Sequence, residues 1–292
     1  MSFSLKLNWL IVTGCILIGL FLALILSDSA LRSWVYAPQK PIIISPRPAP
    51  TQIIVATPAI LLPTLVLEEQ TSEGYWRRGD MYRDRGDYNL AVADYTDAIQ
   101  LAPRNGTLYA ARAFALHYEG NTKTAVLDLT QAIALDPRNF SNYLYRASMY
   151  IDLKQSSLAV QDLTVALQLQ PDDPVLYYQR GYAYSEQQLY IQAIPDLTQA
   201  IKLKADYVDA YFLRAGAYLQ LGENVEAIAD YEQALSLNSE DPSLYYSRGI
   251  TLLQLDRRTE AIADFQQCLR LNPSSILRQD AENELRALGV NP

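Results

Sequence analysis

The feature that most limits the fold is a period. The stretch "AYFLRAGAYLQLGENVEAIADYEQALSLN", Ala210 to Asn238, returns 34 residues earlier as "LYYQRGYAYSEQQLYIQAIPDLTQAIKLK" and 34 residues later as "LYYSRGITLLQLDRRTEAIADFQQCLRLN". Counted from Ser72, six such units fill residues 72–275 without insertion or deletion: 72–105, 106–139, 140–173, 174–207, 208–241 and 242–275. A fixed period of this length marks a repeat architecture in which each unit buries its apolar face on its neighbours. The usual relation between chain length and number of domains then does not apply.

Within a unit the columns follow helical spacing. Place 4 is always tyrosine (Tyr75, Tyr109, Tyr143, Tyr177, Tyr211, Tyr245), place 8 is Gly or Ala, and place 11 is Tyr or Leu. Place 20 is always alanine, place 24 is Tyr, Leu or Phe, and place 27 is alanine except for Cys268. Places 4, 8 and 11 share one helix face, and so do 20, 24 and 27. Small residues at 8, 20 and 27 allow two helices to approach closely, and the large ones fill the gaps. Glycines near place 15 (Gly86, Gly120, Gly222) end a first helix, and Pro103, Pro137, Pro171 and Pro273 follow a second. Each unit is predicted to be a helical hairpin too small to fold alone.

This pattern resembles the tetratricopeptide repeat, in which an aromatic, a small residue, Tyr, Ala, an aromatic, Ala and Pro recur at these offsets. The resemblance covers about 70% of the chain. It implies an all-α solenoid of helical hairpins wound into a right-handed superhelix, and leaves the biochemical role open. Ala205 and Ser239 depart from the closing proline, and Pro195 falls inside a second helix, where it removes a backbone hydrogen bond.

Two charged columns are invariant: Arg at place 7 (Arg78, Arg112, Arg146, Arg180, Arg214, Arg248) and Asp at place 23 (Asp94, Asp128, Asp162, Asp196, Asp230, Asp264). One reading is a charge ladder for a polyion. The other, which the one-for-one match and the adjoining core places favour, is mutual neutralisation between packed helices. After the sixth unit, residues 276–289 read as one more helix with a Leu277, Ala281, Leu285, Leu288 stripe, Ser274 or Ser275 at its start and Gly289 at its end. A polar last helix is the cap such an array needs.

Ahead of the repeats, residues 1–8 flank an 18-residue uncharged run at 9–26, "WLIVTGCILIGLFLALIL", long enough to cross a bilayer. A cleavable signal ending near Ser27 and Ser29 is the alternative. Residues 27–71 include seven prolines between Pro38 and Pro63 and are expected to form an extended stalk. Packing of part of this apolar stretch on the repeats is the competing reading. The flanking charges do not orient the span, and the proline-rich stalk leads us to expect the repeats on the extracytoplasmic side.

Charge and composition exclude several classes. The chain carries a net −8, residues 1–71 carry +1, and the remainder is therefore −9, which repels nucleic acid. Two cysteines, Cys15 and Cys268, and one histidine, His117, are too few for a disulfide framework, a zinc site or a His-based relay. No phosphate loop or nucleophile elbow is visible. No metal, cofactor or enzymatic activity is expected.

The resemblance places residues 2, 5, 9, 12 and 13 of each unit in a concave groove lined by the first helices. The Lys/Asn/Arg set that clamps a chaperone's terminal carboxylate in some relatives is absent there. Units three to six instead present Leu144, Ile151, Tyr178, Tyr182, Phe212, Leu219, Tyr246, Ile250 and Leu253, whereas unit one presents Asp80, Arg83 and Asp84. This implies a membrane-anchored binding scaffold for a protein or peptide with a mainly apolar or aromatic segment. Two alternatives stay open: a self-assembling structural module, and an assembly factor for an envelope complex. Mutual burial of the groove side chains is the reading opposed to a binding site.

Overall fold

The computed structural model describes residues 70–292. The described residues form thirteen α-helices and no strand, paired two to a unit. The six first helices are α1 (Ser72–Arg85), α3 (Gly106–Tyr118), α5 (Phe140–Asp152), α7 (Pro174–Glu186), α9 (Val208–Leu221) and α11 (Pro242–Gln254). Their partners are α2 (Tyr88–Leu101), α4 (Thr122–Leu135), α6 (Ser156–Leu169), α8 (Tyr190–Leu203), α10 (Asn224–Leu237) and α12 (Arg258–Arg270), and α13 (Ser275–Ala287) closes the array. The expected span at 9–26 and stalk at 27–71 fall outside the described residues, except Gln70 and Thr71. No described helix is long and apolar enough to cross a membrane.

The hairpins are held by the alanine column. Ala91, Ala125, Ala159, Ala193, Ala227 and Ala261 are each fully buried, and so are Ala98, Ala132, Ala166, Ala200, Ala234 and Cys268 at place 27. Burial pushes the Cys268 thiol up to about 12, so it packs as an inert apolar group. Place 8 is small because place 24 fills its space. A Cβ on Gly249 would stand 2.7 Å from the Phe265 ring, and one on Gly79 2.7 Å from Tyr95.

Every hairpin turns through a left-handed residue at place 15. Gly86, Gly120 and Gly222 take φ of 83°, 96° and 77°, as the sequence indicates. Units three, four and six make the same turn with Lys154, Gln188 and Asp256 at φ of 57° to 60°. Pro195 does not interrupt its helix: α8 runs 14 residues, the length of the other second helices in units one to five. Pro195 sits on the exposed side of the helix.

A column invisible to periodicity of hydrophobicity sits at place 34. Thr71, Asn105, Asn139, Asp173 and Asp241 each accept a hydrogen bond from the first turn of the next first helix. The Asn-x-Ser/Thr triplets at Asn105 and Asn139 are thus helix caps, with Oδ1 accepting from Thr107 N and Ser141 N at 3.1 Å. Tyr207 breaks the column. Its side chain makes no cap bond and is buried at 7% exposure.

Candidate groove and inter-unit seams

The Arg and Asp columns meet inside each unit. Six bidentate pairs run from Arg78–Asp94 to Arg248–Asp264, with closest approaches of 2.7–2.8 Å. In each, Nε and Nη2 donate to the two carboxylate oxygens, as in Arg180 to Asp196. The aspartates are buried and the arginines half-buried. The hydrogen bond to Asp196 holds the Arg180 guanidinium above its usual range. No carboxylate is left over for a polyion, so the columns are structural.

Each arginine also reaches backward across the unit boundary. Arg112, Arg146, Arg180 and Arg214 donate from Nη1 to Thr96, Thr130, Thr164 and Thr198 of the preceding unit, at 2.9–3.2 Å. The threonine column at place 25 is recognisable from the same 34-residue spacing once the arginine is known to need a third acceptor. Place 4 serves the same seam. The Tyr109, Tyr143 and Tyr245 hydroxyls donate to the carbonyls of Pro103, Pro137 and Ser239, which end the previous unit. The ring of place 4 stacks under the arginine in four units, with Arg78 5.2 Å from the Tyr75 centroid.

First helices of successive units touch one another, α1 with α3, α5 with α7 and α7 with α9, more closely than second helices do. That puts the first helices on the inner side of the stack, where the groove columns lie. The expectation of open apolar surface there needs correction. Ile151 and Tyr246 are buried at 6% exposure each, and Leu144, Tyr178, Tyr182, Phe212, Leu219, Ile250 and Leu253 are half-buried. Aromatic neighbours account for part of this: Tyr178 against Tyr207 at 5.0 Å, Phe212 against Tyr231 at 5.9 Å, and Tyr246 against Phe265 at 5.7 Å. The most exposed large apolar side chains, Ile191, Leu127 and Val225, are instead scattered over second helices.

The charged end of the groove in unit one is internally satisfied. The Tyr95 hydroxyl donates to Asp80 at 2.6 Å, and Arg83 donates to Asp80 at 2.7 Å and to Asp84 at 2.9 Å. His117 occupies place 12 of unit two and is half-buried. Its Nε2 is 3.4 Å from Asp152 Oδ2, its Nδ1 is 3.1 Å from Thr122 Oγ1, and its ring meets Tyr118 edge-on. Tyr118 in turn packs against Phe114 and Tyr88.

What the sequence reading passed over on this face is a set of carboxylates. Burial raises Asp152 on α5, Asp209 in the first turn of α9, and Glu284 on α13 above the ordinary carboxylate range. Among the described residues none of the three lies within 4.0 Å of a Lys or Arg, and Asp152 faces the His117 ring. Continuing the 34-residue count into α13 assigns Asp280 and Glu284 to places 5 and 9, and both charges act on the Tyr246 hydroxyl. Among the described residues no group of three or more His, Cys, Asp or Glu is arranged to hold a metal.

Comparison with known families agrees with this architecture. The family described as "TPR repeat" matches residues 79–120 and 216–256, and "Tetratricopeptide repeat" families match 175–207 and 242–275. The matched segments are tetratricopeptide repeats. No curated protein matches the chain. Among solved structures, MamA is similar at 26% identity and a TM-score of 0.53, over 55% of this chain and 93% of MamA. Pilf of Pseudomonas aeruginosa is similar at 21% identity and 0.61, over 73% and 97%. YrrB, described as a TPR protein with an unusual peptide-binding site, is similar at 19% identity and 0.54, over 65% and 97%.

Proposed function

We propose that this tetratricopeptide-repeat array is a non-enzymatic binding scaffold that takes an extended protein segment along its inner face, held near a membrane by residues 9–26. The observation that carries it is the half-buried apolar lining formed by Leu144, Tyr182, Phe212, Leu219, Ile250 and Leu253 on consecutive first helices. A concave row of part-exposed aromatic and aliphatic side chains suits an incoming segment, because the occupant completes burial that the fold begins. The peptide-binding site named for YrrB supports the reading by analogy of fold alone. The extracytoplasmic placement of the array belongs to this proposal and rests on the proline-rich sequence preceding it. Protease added to intact cells should remove the repeats, and their full protection would reverse the placement.

Tyr178 and Phe212 are poor probes of the groove, since both pack into core clusters and their truncation unfolds as well as empties the site. Ile250 and Leu253 on α11 are better placed. Changing both to Gln should leave the melting temperature within a few degrees and abolish capture of a bound segment. Unchanged capture, or a collapse in melting temperature, would reject the groove reading.

A further inference from the structure

Place 10 of a unit packs on the unit before it. Ala115 shares a core cluster with Ala91 and Tyr95 of unit one, and Met149 shares one with Ala125 and Leu129 of unit two. The column is accordingly closed to water: Ala115, Ala183 and Thr251 are fully buried, Ala217 is 2% exposed and Met149 4%. In unit one the same place holds Met81 on α1, and it is 54% exposed. An apolar side chain at a stacking position, in the middle of a helix, marks a face built to be covered. Arg77, Arg78 and Arg85, at places 6, 7 and 14, flank it and make the face basic.

Two occupants are disfavoured by the array itself. Head-to-tail stacking of a second copy is blocked, because α13 covers the last hairpin and buries Leu277, Ala281 and Leu285 there. Two copies meeting face to face across a two-fold axis would set the three arginines against their own equivalents. The chain supplies a better match. Residues 58–67, "PAILLPTLVL", hold seven aliphatic side chains, and no charge occurs between Arg47 and Glu68. The run is followed by Glu68, Glu69 and Gln70, directly ahead of the Thr71 cap of α1.

The lengths agree as well. Met81 lies about 14 Å along α1 from Ser72, at about 1.5 Å of rise per residue. A segment turning back beside α1 spans that distance with about four or five extended residues, which brings Leu65 to Leu67 level with Met81. Glu68 and Glu69 then come level with Arg77 and Arg78, so charge and apolar surface match together. Pro58 and Pro63 suit an extended path.

We propose that residues 58–69 fold back on unit one, cover Met81 with the side chains of Leu65 to Leu67, and cap the first end of the array as α13 caps the last. The extended stalk then ends at residue 57, and the cap is independent of what the groove binds.

The test uses the full chain in detergent, with Cys15→Ser and Cys268→Ala. Met81→Cys is combined in turn with Leu62→Cys, Leu65→Cys and Leu67→Cys and exposed to mild oxidant. The expected product is an intramolecular disulfide, read as a shifted monomer on a non-reducing gel. With Leu65→Cys or Leu67→Cys it should form about fivefold or more faster than when Leu90→Cys, 44% exposed on α2, replaces Met81→Cys. In the otherwise unaltered full chain, Met81→Gln should lower the melting temperature by about 2–4 °C. The same change should have almost no effect once Leu65→Ser and Leu67→Ser have removed the covering side chains. Oxidation no faster at Met81 than at Leu90, a neutral Met81→Gln, or an equal loss in both chains would overturn the proposal. Disulfide-linked dimers in place of monomers would assign the face to a second copy and overturn it equally.

Discussion

At the level of single residues, the arginine of place 7 does the most. Arg180 is bonded twice to Asp196 within its own hairpin and once to Thr164 of the preceding one, so it joins hairpin closure to unit stacking. Asp196→Ala leaves a half-buried guanidinium with one acceptor, and is expected to lower stability by about 1–3 kcal/mol, read by urea or thermal unfolding. Thr164→Val removes the seam bond together with the hydroxyl's own bond to the Val160 carbonyl, and should cost less, about 0.5–1.5 kcal/mol. Asp209 carries the opposite sign. Burial, then the charge of Asp241, raises its carboxyl, with Lys204 working against them. A raised carboxyl binds its proton more tightly in the folded state, so its favourable contribution holds below the ordinary value near 3.9 and is lost as pH climbs through the raised one. Asp209→Asn should therefore melt higher than the parent at pH 7, and the difference should close on acidification to about pH 3. An unchanged gap across that range would refute burial as the cause.

At the level of elements, the hairpin turn and the helix cap explain tolerances that hydrophobic spacing does not. Place 15 requires a left-handed residue, and three units supply it without glycine. Such a conformation costs an L-residue about 1–2 kcal/mol, offset in part by the greater freedom of glycine in the unfolded chain. Gln188→Gly is expected to stabilise the array by about 0.5–1 kcal/mol, measured by thermal unfolding. The side chain of Gln188 is exposed, which isolates the backbone effect. Tyr207 shows the reverse trade. It gives up the cap bond that Asp173 and Asp241 make, and packs between Tyr178 and Lys204 instead, 5.0 Å from one ring and 4.7 Å from the other's ammonium.

At the level of the whole array, each unit is stabilised by its neighbours, so the ends decide solubility. The cap α13 buries Leu277, Ala281 and Leu285 while its other face stays polar. A chain ending at Asn272 would expose the apolar side of the last hairpin. It is expected to melt lower and to associate, visible as a shifted elution volume and increased scattering. A truncated chain that stays monomeric with unaltered melting would show that α13 is not a cap.

The 34-residue period determined the hairpins, the alanine seams, the place-15 break and the last helix, because these follow from side-chain size and helical spacing along one strand of sequence. Pairing of the Arg and Asp columns was also legible, since equal numbers of opposite charge beside core positions leave little else. Three things were decided only by the tertiary structure. The arginine's third bond and the place-4 hydroxyl bond cross unit boundaries, and periodicity within one unit carries no trace of what the next unit presents. Exposure in the groove was misread, because Ile151 and Tyr246 are covered by neighbouring helices whose approach depends on stacking. The acidity of the inner face emerged last. Asp209 and Glu284 are ordinary surface carboxylates in sequence, and only packing in the array withdraws them partly from water.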